Sequence, residues 1–312
     1  MSIKVKKKEK LEIAFPRILR EQVDEALSCL KNGELGKNEA IHECRKCMKK
    51  IRGLARLYRG SLGKDYRRIN TTFRDTARIL SDLRDRGVLL ETFHALNDFV
   101  DRDLLKSPDI RAFQQHLHEE FERVENDPDL GAGKKMKDAA DRLRKARKDF
   151  KDYTVSSEGF DSIQDGLEKT YKRGRKGLDR AVDKPTTKNF HEWRKRVKYH
   201  RYHMRVLQNL WKPPIKARRK ELKELTDVIG DEHDLALLDS AIQERAHEFM
   251  TYEEIERLRE AIAQRRDSLR GGAILLGEKI YSEKQSKLGK RIRSYWKTWV
   301  TEKETQAFSL SS

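Results

Sequence analysis

The stretch Ile41-His-Glu-Cys-Arg-Lys-Cys-Met-Lys-Lys-Ile-Arg52 interleaves two patterns. Wound as a helix at about 100° per residue, it places His42, Arg45, Lys49, Arg52 and, one turn further, Arg56 within a sector of about 80°. Met48, Ile51 and Leu54 supply apolar positions for packing. Like charges three and four residues apart repel by a few tenths of a kcal/mol each, and Glu43 is the single acid along the stretch. One such run reads as a solvated face.

The run occurs twice, and that reverses the reading. Phe190-His-Glu-Trp-Arg-Lys-Arg-Val-Lys-Tyr-His-Arg201 repeats it, with His191, Arg194, Lys198, Arg201 and Arg205 on the cationic face and Val197 and Met204 for packing. His42 and His191 are 149 positions apart. A second motif, Leu80-Ser-Asp-Leu-Arg-Asp85, returns at the same offset as Ile229-Gly-Asp-Glu-His-Asp234. Two motifs in one order at one spacing indicate an internal duplication, divided near Tyr153–Glu158 into residues 1–155 and 156–312.

Composition agrees with long amphipathic helices. Hydrophobic residues make up 36% of the chain and charged residues 39%, with 17 Gly and 6 Pro. Helical periodicity predicts helices at about residues 11–31, 38–60, 62–82, 86–105, 108–125 and 134–151. In the second half they fall at about 159–182, 187–211, 214–229, 232–248, 251–280 and 283–305. Asn32-Gly33 reads as a helix stop, Ser107-Pro108-Asp109 as a start, Thr186/Thr187 as a cap and Pro213-Pro214 as a break. No strand-like alternation is found, so the expected class is all-α.

Lys and Arg number 70 against 52 Asp and Glu, a net charge of +18, and an anionic partner that relieves the self-repulsion is the natural inference. Further cations fall on neighbouring predicted helices: Arg67, Arg74 and Arg78 after the first stripe, and Lys216, Lys220 and Lys223 after the second. Lys169, Lys172, Arg173, Lys176 and Arg180 form a largely one-sided row before the second. Three helices per half are thus expected to present cations to a common groove, where guanidinium forks chelate adjacent phosphate oxygens and lysines add point charge. No apolar run of eighteen residues predicts a membrane span, and no secretory pattern follows Met1, so a cytoplasmic setting is expected.

Catalytic and metal chemistry finds little footing. Cys44-x-x-Cys47 lacks a second ligand pair and sits among cations that oppose a dication, so these thiols read as packing residues and no metal is expected. Asp82/Asp85 and Asp231/Asp234 read as helix-ending and helix-opening residues, or as clamps on the motif arginines. His116 and His118 stand alone. Nucleophilic triads, phosphate-cradling Gly loops and dinucleotide fingerprints are absent, so no cofactor and no enzyme activity is expected.

The His-x-x-Arg-x-x-x-Lys helices at His42 and His191, each followed some forty residues later by Asp-x-x-Asp, resemble the CHAD family, the conserved histidine α-helical domain. The resemblance runs from about residue 11 to 305. It implies two four-helix-bundle-like halves related by a pseudo-two-fold axis, together one domain, with a basic central channel that binds inorganic polyphosphate and an association with polyphosphate granules. By carry-over the two stripes become the leading ligands. Some members carry a triphosphatase domain with an ExExK motif; the nearest approach here is Glu302-x-Glu304-x-Gln306, which implies a free-standing, non-hydrolytic member. Nucleic acid ranks second as a partner: no base-reading motif is present, and Trp193, Tyr199 and Tyr202 are the aromatics that could stack on bases.

Overall fold

Helices account for every regular element among the described residues of the computed structural model, which are 3–7, 9–31, 35–126 and 132–308. In chain order they are α1 (Leu11–Lys31), α2 (Lys37–Leu57), α3 (Asp65–Ile79), α4 (Asp82–His94), α5 (Arg102–Leu105) and α6 (Pro108–Asn126). The second series is α7 (Ala132–Lys148), α8 (Asp161–Asp183), α9 (Thr187–Val206), α10 (Lys212–Arg245), α11 (Tyr252–Ile280) and α12 (Gln285–Phe308). The protein is all-α, as expected. The Asn32-Gly33 stop lies outside the described residues.

Local signals behave as capping chemistry requires. The Thr186 hydroxyl accepts from the Asn189 N–H at 3.3 Å, and Ser107 Oγ accepts from Asp109 N–H at 3.3 Å, each satisfying a donor of the first helical turn. Pro213 and Pro214 open α10, where a missing N–H costs nothing.

Two predictions fail: the single helix expected at about 86–105 is divided, α4 ending at His94 before a 3-10 turn at Ala95–Asp98 and the short α5, and a boundary within α10 is wrong. The break expected at Asp231 does not exist, since α10 runs unbroken through 34 residues. The reason is a buried stripe that serves two hydrophobic clusters in succession. Leu222, Leu225 and Ile229 enter a large cluster with α1, α2, α3 and α7–α9, while Leu235, Leu238 and Ile242 enter a second with α4, α6 and the first part of α11. Between them the fully buried Glu232 accepts from Arg266 (3.1 Å) and Arg270 (2.8 Å) of α11, which ties α10 to α11 where a turn was expected. At the corresponding point of the first half a break does occur, since α3 ends at Ile79 and α4 begins at Asp82. The side chains of Asp82 and Asp85 lie outside the described residues.

The two histidine-bearing helices, α2 and α9, pack against each other at the centre. They run antiparallel where they touch: Gly53 meets Tyr202 and His203, and three residues on Arg56 meets Tyr199. A Cβ on Gly53 would stand 2.9 Å from Tyr202 Cδ2, so the missing side chain sets the approach distance. The His203 ring nitrogen lies 3.0 Å from the Gly53 carbonyl and ties the crossing. α8 crosses close as well, with Gly166 set against the Arg56 and Leu57 carbonyls.

Candidate functional site

The apolar positions of α2 and α9 turn their basic stripes into one shared space. Ile41, Cys44, Met48 and Ala55 are buried on α2, and Phe190, Trp193, Val197 and Met204 on α9. The cations on the remaining faces are steered by neighbouring helices. Arg45 Nη1 donates to the Ala77 carbonyl of α3 at 2.6 Å, and Arg194 Nε donates to the Thr226 carbonyl of α10 at 3.0 Å. Both donors and both acceptors are 149 positions apart. Arg52 Nε reaches Asn70 Oδ1 of α3 at 3.3 Å. α3 therefore flanks the α2 stripe, and α10 flanks the α9 stripe.

Lys198 marks the meeting point. It is half-buried, and the charges acting on it are Arg194 and Arg201 of its own helix, Lys49 of α2 and Asp234 of α10. Burial first, and then these cations, push the ammonium down to about 7. Burial followed by Arg205 and Arg201 likewise lowers Arg219 of α10, which also donates to Gln208 Oε1. Lys198, Arg201, Arg205 and Arg219 form no ion pair among the described residues.

The flanking rows follow from helical spacing. Arg67, Arg74 and Arg78 share a sector of about 100° with Asn70 and Ala77, the residues that receive the α2 arginines. Lys216, Lys220 and Lys223 share the corresponding sector of α10 with Arg219 and Thr226. Arg74 and Arg78 are partly neutralised by Asp75 at 2.8 and 3.7 Å, and Lys223 by Asp227. Arg67, Lys216 and Lys220 are exposed on the rims.

Other expected residues go elsewhere. Arg173 and Arg180 of α8 act on Arg196, which lies about 160° around α9 from Arg194. Lys169, Lys172 and Lys176 are exposed on that same helix. The α8 row thus faces the other side of α9, and the three-helix groove expected in the second half reduces to α9 and α10. Arg56 also sits at that junction, with its guanidinium 3.9 Å above the Tyr199 ring and Nη1 bonded to the Arg52 carbonyl at 2.8 Å. Burial pushes Arg56 down to about 10.

The motif histidines differ. His42 is exposed. His191 is half-buried, its ring 4.4 Å from that of His233, and burial and then His233 push it down to about 4, so it is a neutral imidazole at pH 7. Asp234, Asp227 and Asp231 act on Arg194, which favours the clamping role for Asp231 and Asp234. Gly230 leaves room for the Arg194 guanidinium, since a Cβ there would stand 2.4 Å from Nη2.

Trp193, Tyr199 and Tyr202 are 0%, 7% and 5% exposed, so none offers a free face to a base, contrary to their expected availability. Cys44 and Cys47 are buried and their thiols are pushed up by burial, as packing residues should be. Sequence reasoning missed Arg219. Its signal was present, because it falls between Lys216 and Lys220 on one face, but the counterpart at that offset is the uncharged Asn70.

Fold and site together define an all-helical protein built around two facing basic helices flanked by further cationic rows. The chain belongs to the CHAD family, whose domain profile matches residues 17–243. Among solved structures it is similar to PptA from Streptomyces chartreusis, with a TM-score of 0.60 at 14% identity over 86% of this chain and 98% of that one. That likeness bears on the fold alone. No curated protein matches the chain. No helix among the described residues is long and apolar enough to cross a membrane.

Proposed function

We propose that this protein binds inorganic polyphosphate along the groove floored by α2 and α9 and walled by α3 and α10, and that it holds the polymer without hydrolysing it. The observation that carries the reading is the placement of Arg194, Lys198, Arg201 and Arg205 on one face of α9 with Lys49 of α2 acting on Lys198, while Lys198, Arg201 and Arg205 form no ion pair among the described residues. Half-buried cations that repel one another are stabilised by an entering anion. A flexible string of phosphates supplies closely spaced charge of the opposite sign. The burial of Trp193, Tyr199 and Tyr202 removes the stacking surface that single-stranded RNA would use.

In this reading Lys49, Arg52, Lys198, Arg201 and Arg205, joined by Arg219, contact the chain, with Arg67, Lys216 and Lys220 at the rims. Arg45 and Arg194 double as pins to α3 and α10. Residues 1–155 and 156–312 are two halves of one binding unit, an interpretation supported by the recurrence of the Arg45–Ala77 hydrogen bond as Arg194–Thr226. A cytoplasmic protein that resides on polyphosphate granules is the cellular form this reading implies.

The test is a chain-length series of polyphosphate titrations, with single-stranded RNA as competitor at equal charge and fixed salt. Long polymers are expected to bind far more tightly than the trimer, because two linked stripes act bivalently. Preference for RNA, or equal affinity for trimer and polymer, overturns the shared groove. Steady phosphate release on incubation with magnesium overturns the non-hydrolytic part.

A further inference from the structure

Trp211 is 53% exposed, yet its ring is held in place. It immediately precedes α10 and stands edge-to-face with Tyr295 of α12, the ring centres 4.8 Å apart. Both rings line a pocket of about 840 Å³, within the span of about 300–1,000 Å³ usual for small-molecule sites. The buried Leu210 and Trp299 extend its apolar lining. The segment before α1 supplies a further part of the wall. Val5 N–H donates to the Val206 carbonyl at 3.0 Å, and Asn209 Nδ2 donates to the Val5 carbonyl at 2.8 Å, which brings Lys7 into the lining. None of the lining residues is among the ligands assigned to the groove above.

The polar lining has one sense. Ser294 and Thr298 donate their hydroxyl hydrogens to the Lys290 and Ser294 carbonyls of their own helix, at 3.2 and 3.3 Å. Asn209 has its amide nitrogen turned to Val5. Oxygens that accept hydrogen bonds are what these three side chains keep for an occupant. Lys7 and Lys212, both exposed, add positive charge, and no carboxylate stands among the described lining residues to neutralise them. An occupant matched to this wall carries a flat ring for the indole and phenol, hydroxyl or amino hydrogens for the oxygens, and an anionic group for the lysines. A simple aromatic acid leaves the oxygens unused, and a bare phosphate leaves both the oxygens and the rings unused.

We propose that this pocket binds a nucleoside phosphate. The base lies against Trp211 and Tyr295, ribose hydroxyls or an exocyclic amine donate to Asn209, Ser294 and Thr298, and the phosphate meets Lys7 and Lys212. The site is separate from the polyanion groove and does not depend on that reading.

The experiment is calorimetric titration of the full chain with adenosine monophosphate, adenosine and inorganic phosphate, at one pH and fixed salt. The monophosphate offers the groove a single phosphate and the pocket a whole ligand, and it is expected to bind more tightly than either fragment. Trp211→Ala is expected to weaken it about tenfold, the scale of one base–aromatic stack, and Trp211→Phe, which keeps a ring, to retain most of the affinity. Because Trp211 is half exposed, both variants are expected to melt with the wild type. Long-chain polyphosphate is expected to bind Trp211→Ala as it binds the wild type. Absence of binding by the monophosphate, inorganic phosphate binding as tightly, or unchanged monophosphate affinity in Trp211→Ala overturns the proposal. Loss of polyphosphate affinity in that variant overturns it too, because the pocket would then be part of the groove.

Discussion

Gly230 and Arg194 show how much of this site depends on single atoms. A methyl group at residue 230 would collide with the Arg194 guanidinium, the far end of a flexible side chain that can move aside. Gly230→Ala is therefore expected to leave the melting temperature nearly unchanged and to weaken polyphosphate binding severalfold. A large loss of stability, with affinity intact, would show that Arg194 is a structural pin and not part of the groove. The buried histidines carry a second expectation at this scale. Burial lowers His191 to about 4, His203 to about 3 and His200 well below its ordinary value. The unfolded chain binds protons at these residues from about pH 6.5 downward while the folded chain does not, so unfolding free energy should fall as pH drops from about 6.5 toward 4. Urea midpoints at pH 7, 6 and 5 check this; a flat series would mean that these rings titrate normally.

Helix crossings explain which substitutions the elements tolerate. Gly166 of α8 lies against α2 so closely that a Cβ would stand 2.0 Å from the Leu57 carbonyl oxygen and 2.3 Å from that of Arg56. Backbone atoms cannot rotate away, whereas at Gly53 the opposing atoms belong to the Tyr202 side chain. Gly166→Ala should therefore destabilise by more than the about 1–3 kcal/mol typical of overpacking. Gly53→Ala should fall within that range or below it, because alanine also recovers up to about 1 kcal/mol of helix propensity. Chemical denaturation of the two variants, read side by side, tests the order. The Cys44 and Cys47 thiols are buried in α2 and shifted upward, so they should resist a thiol reagent in the native protein and react fully in denaturant. Fast native labelling would mean that α2 opens readily.

At the scale of the whole molecule, the excess of +18 is organised in two ways. Rim residues such as Lys216 and Lys220 are solvated, but Lys198 carries a standing desolvation cost. Its folded-state value lies below its unfolded one, so replacing it with an apolar residue removes a destabilising charge. Lys198→Met is expected to raise the melting temperature of the empty protein at pH 7 and to weaken polyphosphate binding in the same variant. Loss of both properties would place Lys198 among the structural residues. Binding should also weaken steeply with salt through counterion release, and the slope of log affinity against log salt should flatten in an Arg201→Ala/Lys198→Met variant. An unchanged slope would move the site elsewhere.

Helical class, the two basic stripes and the 149-residue recurrence are legible in the sequence because each depends on local periodicity, and period is a property of neighbours along the chain. The burial of Cys44 and Cys47 is legible for a similar reason, since they fall on the apolar side of a readable helix. What tertiary structure decided concerns partners that lie far apart in sequence. The passage of α10 through Asp231 depends on Arg266 and Arg270, which bind Glu232 from another helix. The removal of the α8 row from the groove depends on which side of α9 that helix packs against. Lys198 looks in the sequence like Lys49, its counterpart in the first stripe. Only the approach of α2 and α10 brings Lys49 and Asp234 near enough to act on it, and burial beside like charges, which no local pattern encodes, lowers its hold on a proton.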